Sequence, residues 1–265
     1  MAPDPSLAVP AGLSPIGGIH SVRAALRPGA PGAGPDGRSD LVEVWLERKR
    51  RDRRLAELAD LAREAGVRIR QVEAEDLARV APGLNHQGAL AWVKIPASRG
   101  EADLDALLDR LDRPPFLLVL DEVQDPHNLG ACLRSADAVG VQAVIAPRDN
   151  AVGLTPTVAK VASGAARTVP YVQVTNLART LDALKARGIW LVGLAGEAQT
   201  DLYALDLKGP LALVLGSEGR GLRRLTRERC DYLARLPMLG GVESLNVSVA
   251  TGICLYEALR QRGWG

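Results

Sequence analysis

Four short apolar runs organise the C-terminal half of the chain. Phe116-Leu117-Leu118-Val119-Leu120, Ala143-Val144-Ile145, Ile189-Trp190-Leu191-Val192 and Leu211-Ala212-Leu213-Val214-Leu215 carry no charged position, and each is flanked by a helix-like segment. Strands apolar on both faces belong in a parallel sheet covered by helices, and ligands of such sheets bind outside the C-terminal strand ends. The N-terminal part has a different pattern. Leu41 to Leu46 is strand-like, Leu55, Leu58 and Leu61 fall at helical spacing before Gly66, and Val67 to Val72 alternates apolar with basic residues. With a further strand over Ala89 to Val93, these segments predict a small α/β unit.

Proline and glycine mark the boundaries. Pro3, Pro5, Pro10 and Pro15 predict an unstructured start over residues 1–15, and Arg27 to Gly37 is too rich in both residues to sustain helix or ladder. The small unit then spans 16–95. Residues 96–114 mix proline, glycine and charge around a short helical pattern from Leu104 to Leu111 and are expected to be a linker. The parallel-sheet domain spans 115–265.

Composition narrows the chemistry. With 47% hydrophobic and 24% charged residues the chain is neither disordered nor fibrous. Aromatic residues reach only 3%, so a stacking platform for bases is poorly supplied. Cys132, Cys230 and Cys254 form no Cys-x-x-Cys pair, which points to a reducing compartment. His20, His86 and His127 stand far apart with no ligand spacing around them, so no metal is expected. Neither a targeting signal nor an apolar run of the roughly 18 to 20 residues that span a bilayer is found, and a cytoplasmic protein with no membrane partner is expected. The net charge of +2 neither demands nor excludes nucleic acid.

Polar, glycine-bearing segments follow the predicted strands at Asp121 to Gly130, Leu194 to Glu197, Gly216 to Gly221 and Met238 to Asn246. Glycines 216, 219 and 221 fit neither the dinucleotide nor the P-loop spacing, and Gly216-Ser217 is not a hydrolase elbow. Three motifs instead resemble the SpoU (TrmH-like) branch of the SPOUT superfamily of RNA ribose 2′-O-methyltransferases. They are Asn128-Leu129-Gly130-Ala131-Cys132-Leu133-Arg134 with Ser135-Ala136-Asp137, then Leu215-Gly216-Ser217-Glu218-Gly219-Arg220-Gly221, then Leu236-Pro237-Met238 with Ser244-Leu245-Asn246-Val247-Ser248-Val249-Ala250. All three stand in family order. The N-terminal part, with Gly18-Ile19-His20 and His86-Gln87-Gly88, is similar to the family's small ribosomal-protein-like substrate-binding domain.

The resemblance implies an α/β chain whose C-terminal parallel-sheet methyltransferase domain is closed by a deep trefoil knot. It implies S-adenosyl-L-methionine as cofactor, a homodimer formed through the knotted domain, and methyl transfer to a guanosine ribose of 23S rRNA. By match to the motifs, Asn128, Arg134, Glu218, Ser244 and Asn246 are the catalytic candidates, and Gly196, Gly216, Leu236 and Leu245 the cofactor-binding ones. Arg134 is expected to anchor phosphate and stabilise a developing alkoxide, because its guanidinium pKa of about 12.5 to 13.8 makes a neutral base costly. Glu218 is expected to orient Arg134 or the ribose, and Asn128 to position Arg134 or the substrate. Asn128, Ser244 and Asn246 are also good helix caps, which alone would explain them. Glu243 departs from the small hydroxyl residue more usual before Ser244.

Two basic groups stand apart from the motifs. Arg48 to Arg54 is a candidate phosphate track, although such runs are usually solvated helix faces, and Arg220, Arg223, Arg224 and Arg227 form a second group beside the glycine loop. The competing functions are a tRNA methyltransferase of the same family, a ribosome-assembly protein that binds RNA without turnover, and a nucleotide-dependent α/β enzyme unrelated to RNA.

Overall fold

A computed structural model describes residues 12–27, 40–48, 50 and 52–263. The chain divides into two compact units, Met1–Pro96 and Ala97–Gly265.

The first unit runs β1 (Leu13–Gly17), α1 (Ile19–Leu26), β2 (Leu41–Glu47), α2 (Arg53–Glu64), β3 (Arg68–Val72), α3 (Ala74–Val80) and β4 (Ala89–Lys94). Its sheet has the order β1-β4-β2-β3, with β2 and β3 parallel and the other pairs antiparallel. The two-residue period of a strand sorts the core. Val44, Leu46, Ala89 and Ala91 pack with Val22 and Leu58 of the first two helices, whereas Trp45, Leu90 and Trp92 pack with Leu77 of α3. Trp45 and Trp92 meet edge to face at 5.3 Å, and the Trp45 Nε1 donates to the buried Glu43 carboxylate at 2.8 Å.

The proline-rich start needs correcting at its end. Leu13, Ser14 and Pro15 are not unstructured but form β1, which pairs only with β4. A proline is tolerated there because an edge strand has one row of N–H groups without ladder partners. Residues 1–11 lie outside the described residues.

The second unit runs α4 (Glu101–Leu108), β5 (Phe116–Asp121), α5 (Pro126–Ala138), β6 (Ala143–Pro147), α6 (Pro156–Ala162), α7 (Ala165–Thr168), β7 (Tyr171–Val174), α8 (Leu177–Ala186), β8 (Trp190–Leu194), β9 (Thr200–Asp201), β10 (Leu211–Gly216), α9 (Arg224–Arg229), β11 (Tyr232–Arg235) and α10 (Val247–Arg262). Its seven strands are all parallel, in the order β7-β6-β5-β10-β8-β11-β9. Leu118, Leu120, Leu213 and Leu215 face a cluster shared with Leu133 of α5 and Leu255 of α10. Leu117, Val119, Ala212 and Val214 face the opposite cluster with Leu104, Leu108 and Leu181. The expected linker is therefore shorter than 96–114. Its central segment is α4, whose Leu104 and Leu108 are buried in this unit's core, and Arg99 already bridges to β7.

The sheet order reverses direction beside β5. Strands β6 and β7 are added on one side and β8 on the other, and β10 then enters between β5 and β8. The loops after β5, β8, β10 and β11 consequently meet at one edge. Asp121, at the end of β5, is fully buried and is held by Arg223 just before α9, which gives it a backbone N–H at 3.0 Å and Nε at 2.7 Å. Removing one partner of such a pair leaves an uncompensated buried charge. Arg223→Ala is expected to destabilise this unit by about 3 kcal/mol in urea unfolding, and Asp121→Asn by less; equal stability of Arg223→Ala and the parent would refute that role.

Candidate functional site

The site is built from three loop segments. Asn128 lies in the first turn of α5, which Asp125 caps by accepting the His127 N–H at 2.7 Å. Glu218 lies in the loop after β10. Asn246 is the N-cap of α10, its Oδ1 accepting from the Ser248 N–H at 2.9 Å and the Ser248 hydroxyl at 2.6 Å.

These three side chains interlock. Glu218 Oε1 accepts from Asn128 Nδ2 at 3.2 Å, from Asn246 Nδ2, and from the Val247 backbone N–H at 3.4 Å. Asn246 Nδ2 also donates to Asn128 Oδ1 at 3.0 Å. The carboxylate thus sits where the first turns of two helices converge, a place that favours negative charge. Its second oxygen, Oε2, accepts no hydrogen bond among the described residues.

Glycine makes room for the loop that carries Glu218. Gly216 pairs in register with Asp121, and a Cβ there would overlap the carbonyl of Gly221 as the loop turns back on itself through the Gly221 N–H to Ser217 bond of 3.0 Å. No side chain fits at that position.

Two cavities flank the junction. One, of about 450 Å³, is lined by all four cofactor candidates, Gly196, Gly216, Leu236 and Leu245, and also by Glu218 and Ser244. Its volume suits a small ligand, with Leu194, Met238 and Ala250 as apolar walls and backbone edges of the glycine loop as polar ones. A cofactor with an adenosine and an amino-acid end fits this mixture of surfaces. The second cavity, of about 410 Å³, is more polar and is lined by Glu122, Gln124, Asp125 and Asn128. Ser217, Glu218, Arg220 and Val247 line both. The second cavity was not anticipated from the sequence, although Glu122 and Gln124 stand in the polar segment after the first apolar run.

Arg134 does not join the junction. It is exposed, and among the described residues it makes no hydrogen bond or ion pair. Asn128 and Glu218 bind each other and Asn246, and neither hydrogen-bonds Arg134 among the described residues. Six residues along α5 from Asn128 correspond to about 9 Å of rise and about 240° of rotation, which carries Arg134 off that face.

The arginine group beside the glycine loop is mostly spent. Arg223 holds Asp121 and, at 3.3 Å, Glu122; Arg224 pairs with Glu228 at 2.7 Å; and Arg227 pairs with Glu197. Arg220 alone of the four has no partner among the described residues. In the other basic run, Arg50 and Arg54 share Asp52, Arg53 pairs with Glu57, and Arg48 lies 3.8 Å from Glu73. Lys49 and Arg51 lie outside the described residues.

The described residues contain no cluster of histidine, cysteine and carboxylate placed to hold a metal ion. Nor do the thiols offer a nucleophile. Burial pushes Cys132 up to about 11, and Cys230 and Cys254 up to about 12, so little thiolate exists at neutral pH. Iodoacetamide at pH 8 is expected to leave all three unmodified in the folded protein and to label them in urea; rapid labelling of the native protein would contradict this.

Both units match known protein families. Residues 115–256 match the SpoU rRNA Methylase family, and residues 15–98 match the RNA 2′-O ribose methyltransferase substrate-binding family. The chain is 56% identical over 245 residues to the 23S rRNA (guanosine-2′-O-)-methyltransferase RlmB of Ralstonia nicotianae, covering 92% of this chain and 94% of that one. It is 54% identical over 245 residues to the protein of the same name from Pseudomonas aeruginosa, covering 92% and 95%. The SpoU methyltransferase AviRb of Streptomyces viridochromogenes, solved in complex with AdoMet, superposes with a TM-score of 0.74 at 26% identity over 95% of this chain and 91% of that one. With both of its units matched and the three loop segments assembled at one sheet edge, the chain belongs to the SpoU rRNA methylase family.

Proposed function

We propose that the chain methylates the ribose 2′-hydroxyl of a guanosine in 23S rRNA, using S-adenosyl-L-methionine, in the cytoplasm. The observation that carries this reading is the Asn128–Glu218–Asn246 junction standing between two cavities of nucleoside size. The relatives that cover nearly the whole chain support 23S rRNA over tRNA as substrate.

S-adenosylmethionine supplies an electrophilic methyl group whose sulfonium is already a good leaving group, so no metal is needed. Backbone groups at Gly216, Leu236 and Leu245, with Gly196 beside them, would hold the adenosine in the larger cavity. The target ribose lies against Glu218, whose free Oε2 accepts from a ribose hydroxyl while Oε1 stays fixed by its three donors. Asn246 and Asn128 keep that carboxylate from swinging, and Ser244 closes the cavity from the loop before α10. Positioning of this kind removes much of the barrier for a poor nucleophile. Arg134, exposed and without a partner among the described residues, anchors an RNA phosphate outside the junction.

A second copy of the chain belongs to the same reading. Val249 and Tyr256, seven residues apart on one face of α10, are about half exposed, and Leu239 and Val242 are exposed in the loop that precedes this helix. This apolar surface supports a homodimer through the second unit. The knotted path implied by the resemblance to the SpoU family belongs to the same reading.

The direct test incubates the purified protein with radiolabelled S-adenosylmethionine and unmodified 23S, 16S and tRNA pools. Label on one 23S guanosine ribose is expected; label confined to tRNA would overturn the substrate, and cofactor binding without label on any pool would favour an assembly protein without turnover. Asn246→Ser keeps a helix cap but removes the bridge to Glu218 and Asn128, and is expected to lower kcat about 10²-fold with the melting temperature little changed. Gly216→Ala is expected to abolish cofactor binding by calorimetry. Light scattering is expected to give twice the 28.1 kDa chain mass, and a monomer would contradict the second copy.

A further inference from the structure

The rim of the two cavities presents an electrostatic difficulty. Together their linings carry five carboxylates, Glu122, Asp125, Glu197, Glu218 and Glu243, against three guanidiniums, Arg220, Arg227 and Arg235. Two of those arginines are already committed, Arg227 to Glu197 and Arg235 to Asp201 at 2.8 Å, and Glu122 is answered by Arg223 at 3.3 Å, which leaves Asp125, Glu218 and Glu243 without a cation among the described residues. An RNA strand must nevertheless bring phosphates to this rim, and exposed carboxylates repel them.

Arg220 is the exception. It lines both cavities and is exposed, and it makes no hydrogen bond or ion pair among the described residues. It is flanked by Gly219 at φ +79° and Gly221 at φ +65°, conformations that favour glycine, so the loop presents this side chain at a sharp turn two residues beyond Glu218. An arginine fork matches a phosphodiester bidentately and loses less freedom per hydrogen bond than a lysine.

We propose that Arg220 is the anchor for a backbone phosphate next to the target nucleotide, seating the ribose against Glu218. This rests on the methyltransferase reading and refines it, because the anchor belongs to the RNA and not to the cofactor. Its position shared by both cavities also admits a second anion, the cofactor's own carboxylate, and the experiment separates the two.

The test measures binding of a 23S rRNA fragment by fluorescence anisotropy over a series of salt concentrations, with cofactor affinity measured by calorimetry, for the parent protein, Arg220→Ala and Arg220→Lys. Arg220→Ala is expected to weaken RNA binding roughly tenfold and to lower the slope of log affinity against log salt by about 0.7 to 0.9, the contribution of one phosphate contact. Arg220→Lys restores the slope but only part of the affinity, a pattern that simple loosening of the loop would not give. Cofactor affinity stays unchanged in both variants. An unaltered salt slope in Arg220→Ala, or a loss that falls on the cofactor, would overturn the proposal. Absence of turnover by a parent protein that still binds RNA with the full slope would count against the methyltransferase reading and leave the anchor standing.

Discussion

One carboxylate oxygen holds the site together. Glu218 Oε1 takes three donors that come from the start of α5 and the start of α10, segments separated from it by 90 and 29 residues. Charge-assisted bonds of this kind are stronger than neutral ones, and two helix N-termini reinforce them. Without that oxygen the loop after β10, the first turn of α5 and the cap of α10 would have no common point. Both cavities share Glu218 as a wall, so the same interaction that closes the fold at this edge also separates the two cavities.

The junction depends in turn on how tightly β10 lies beside β5. Gly216 stands opposite Asp121, where its missing side chain lets the chain turn back through Ser217 and Gly221. Asp121 is buried there and answered by Arg223 from the far side of the same loop. Backbone proximity at Gly216 and charge neutralisation at Asp121 thus fix both ends of the segment carrying Glu218 and Arg220.

The legibility of these features in the sequence follows from physics of different range. The runs at 116–120, 143–145, 189–192 and 211–215 were readable because burial on both faces leaves no polar position to confuse the pattern. Strands β7, β9 and β11 were not, since they are two to four residues long, lie towards the sheet's edges and include residues such as Gln173 and Arg235. β1 was hidden by Pro15, whereas the helical pattern of α4 was legible from Leu104 onward but its proline-, glycine- and charge-rich surroundings read as a linker, which concealed that Leu104 and Leu108 form one buried stripe. The site candidates came from motif resemblance, which grouped residues that periodicity could not. Their partners were beyond its reach: Arg224 with Glu228 is a local pair four residues apart, but Arg223 with Asp121 spans 102 residues and Arg227 with Glu197 spans 30. Only tertiary structure shows that Arg220 is left over among the described residues, and that Arg134 makes no bond to Glu218.

The central claim is that the junction holds a ribose between cofactor and RNA. The most direct measurement is a crystal structure of the protein with S-adenosylhomocysteine and a short RNA containing the target guanosine. The account predicts the ribose hydroxyls of that guanosine within hydrogen-bond distance of Glu218 Oε2, with the adenosine in the cavity lined by Gly216, Leu236 and Leu245. A target ribose seated away from Glu218, or an adenosine occupying the cavity of Glu122 and Asp125 instead, would contradict it.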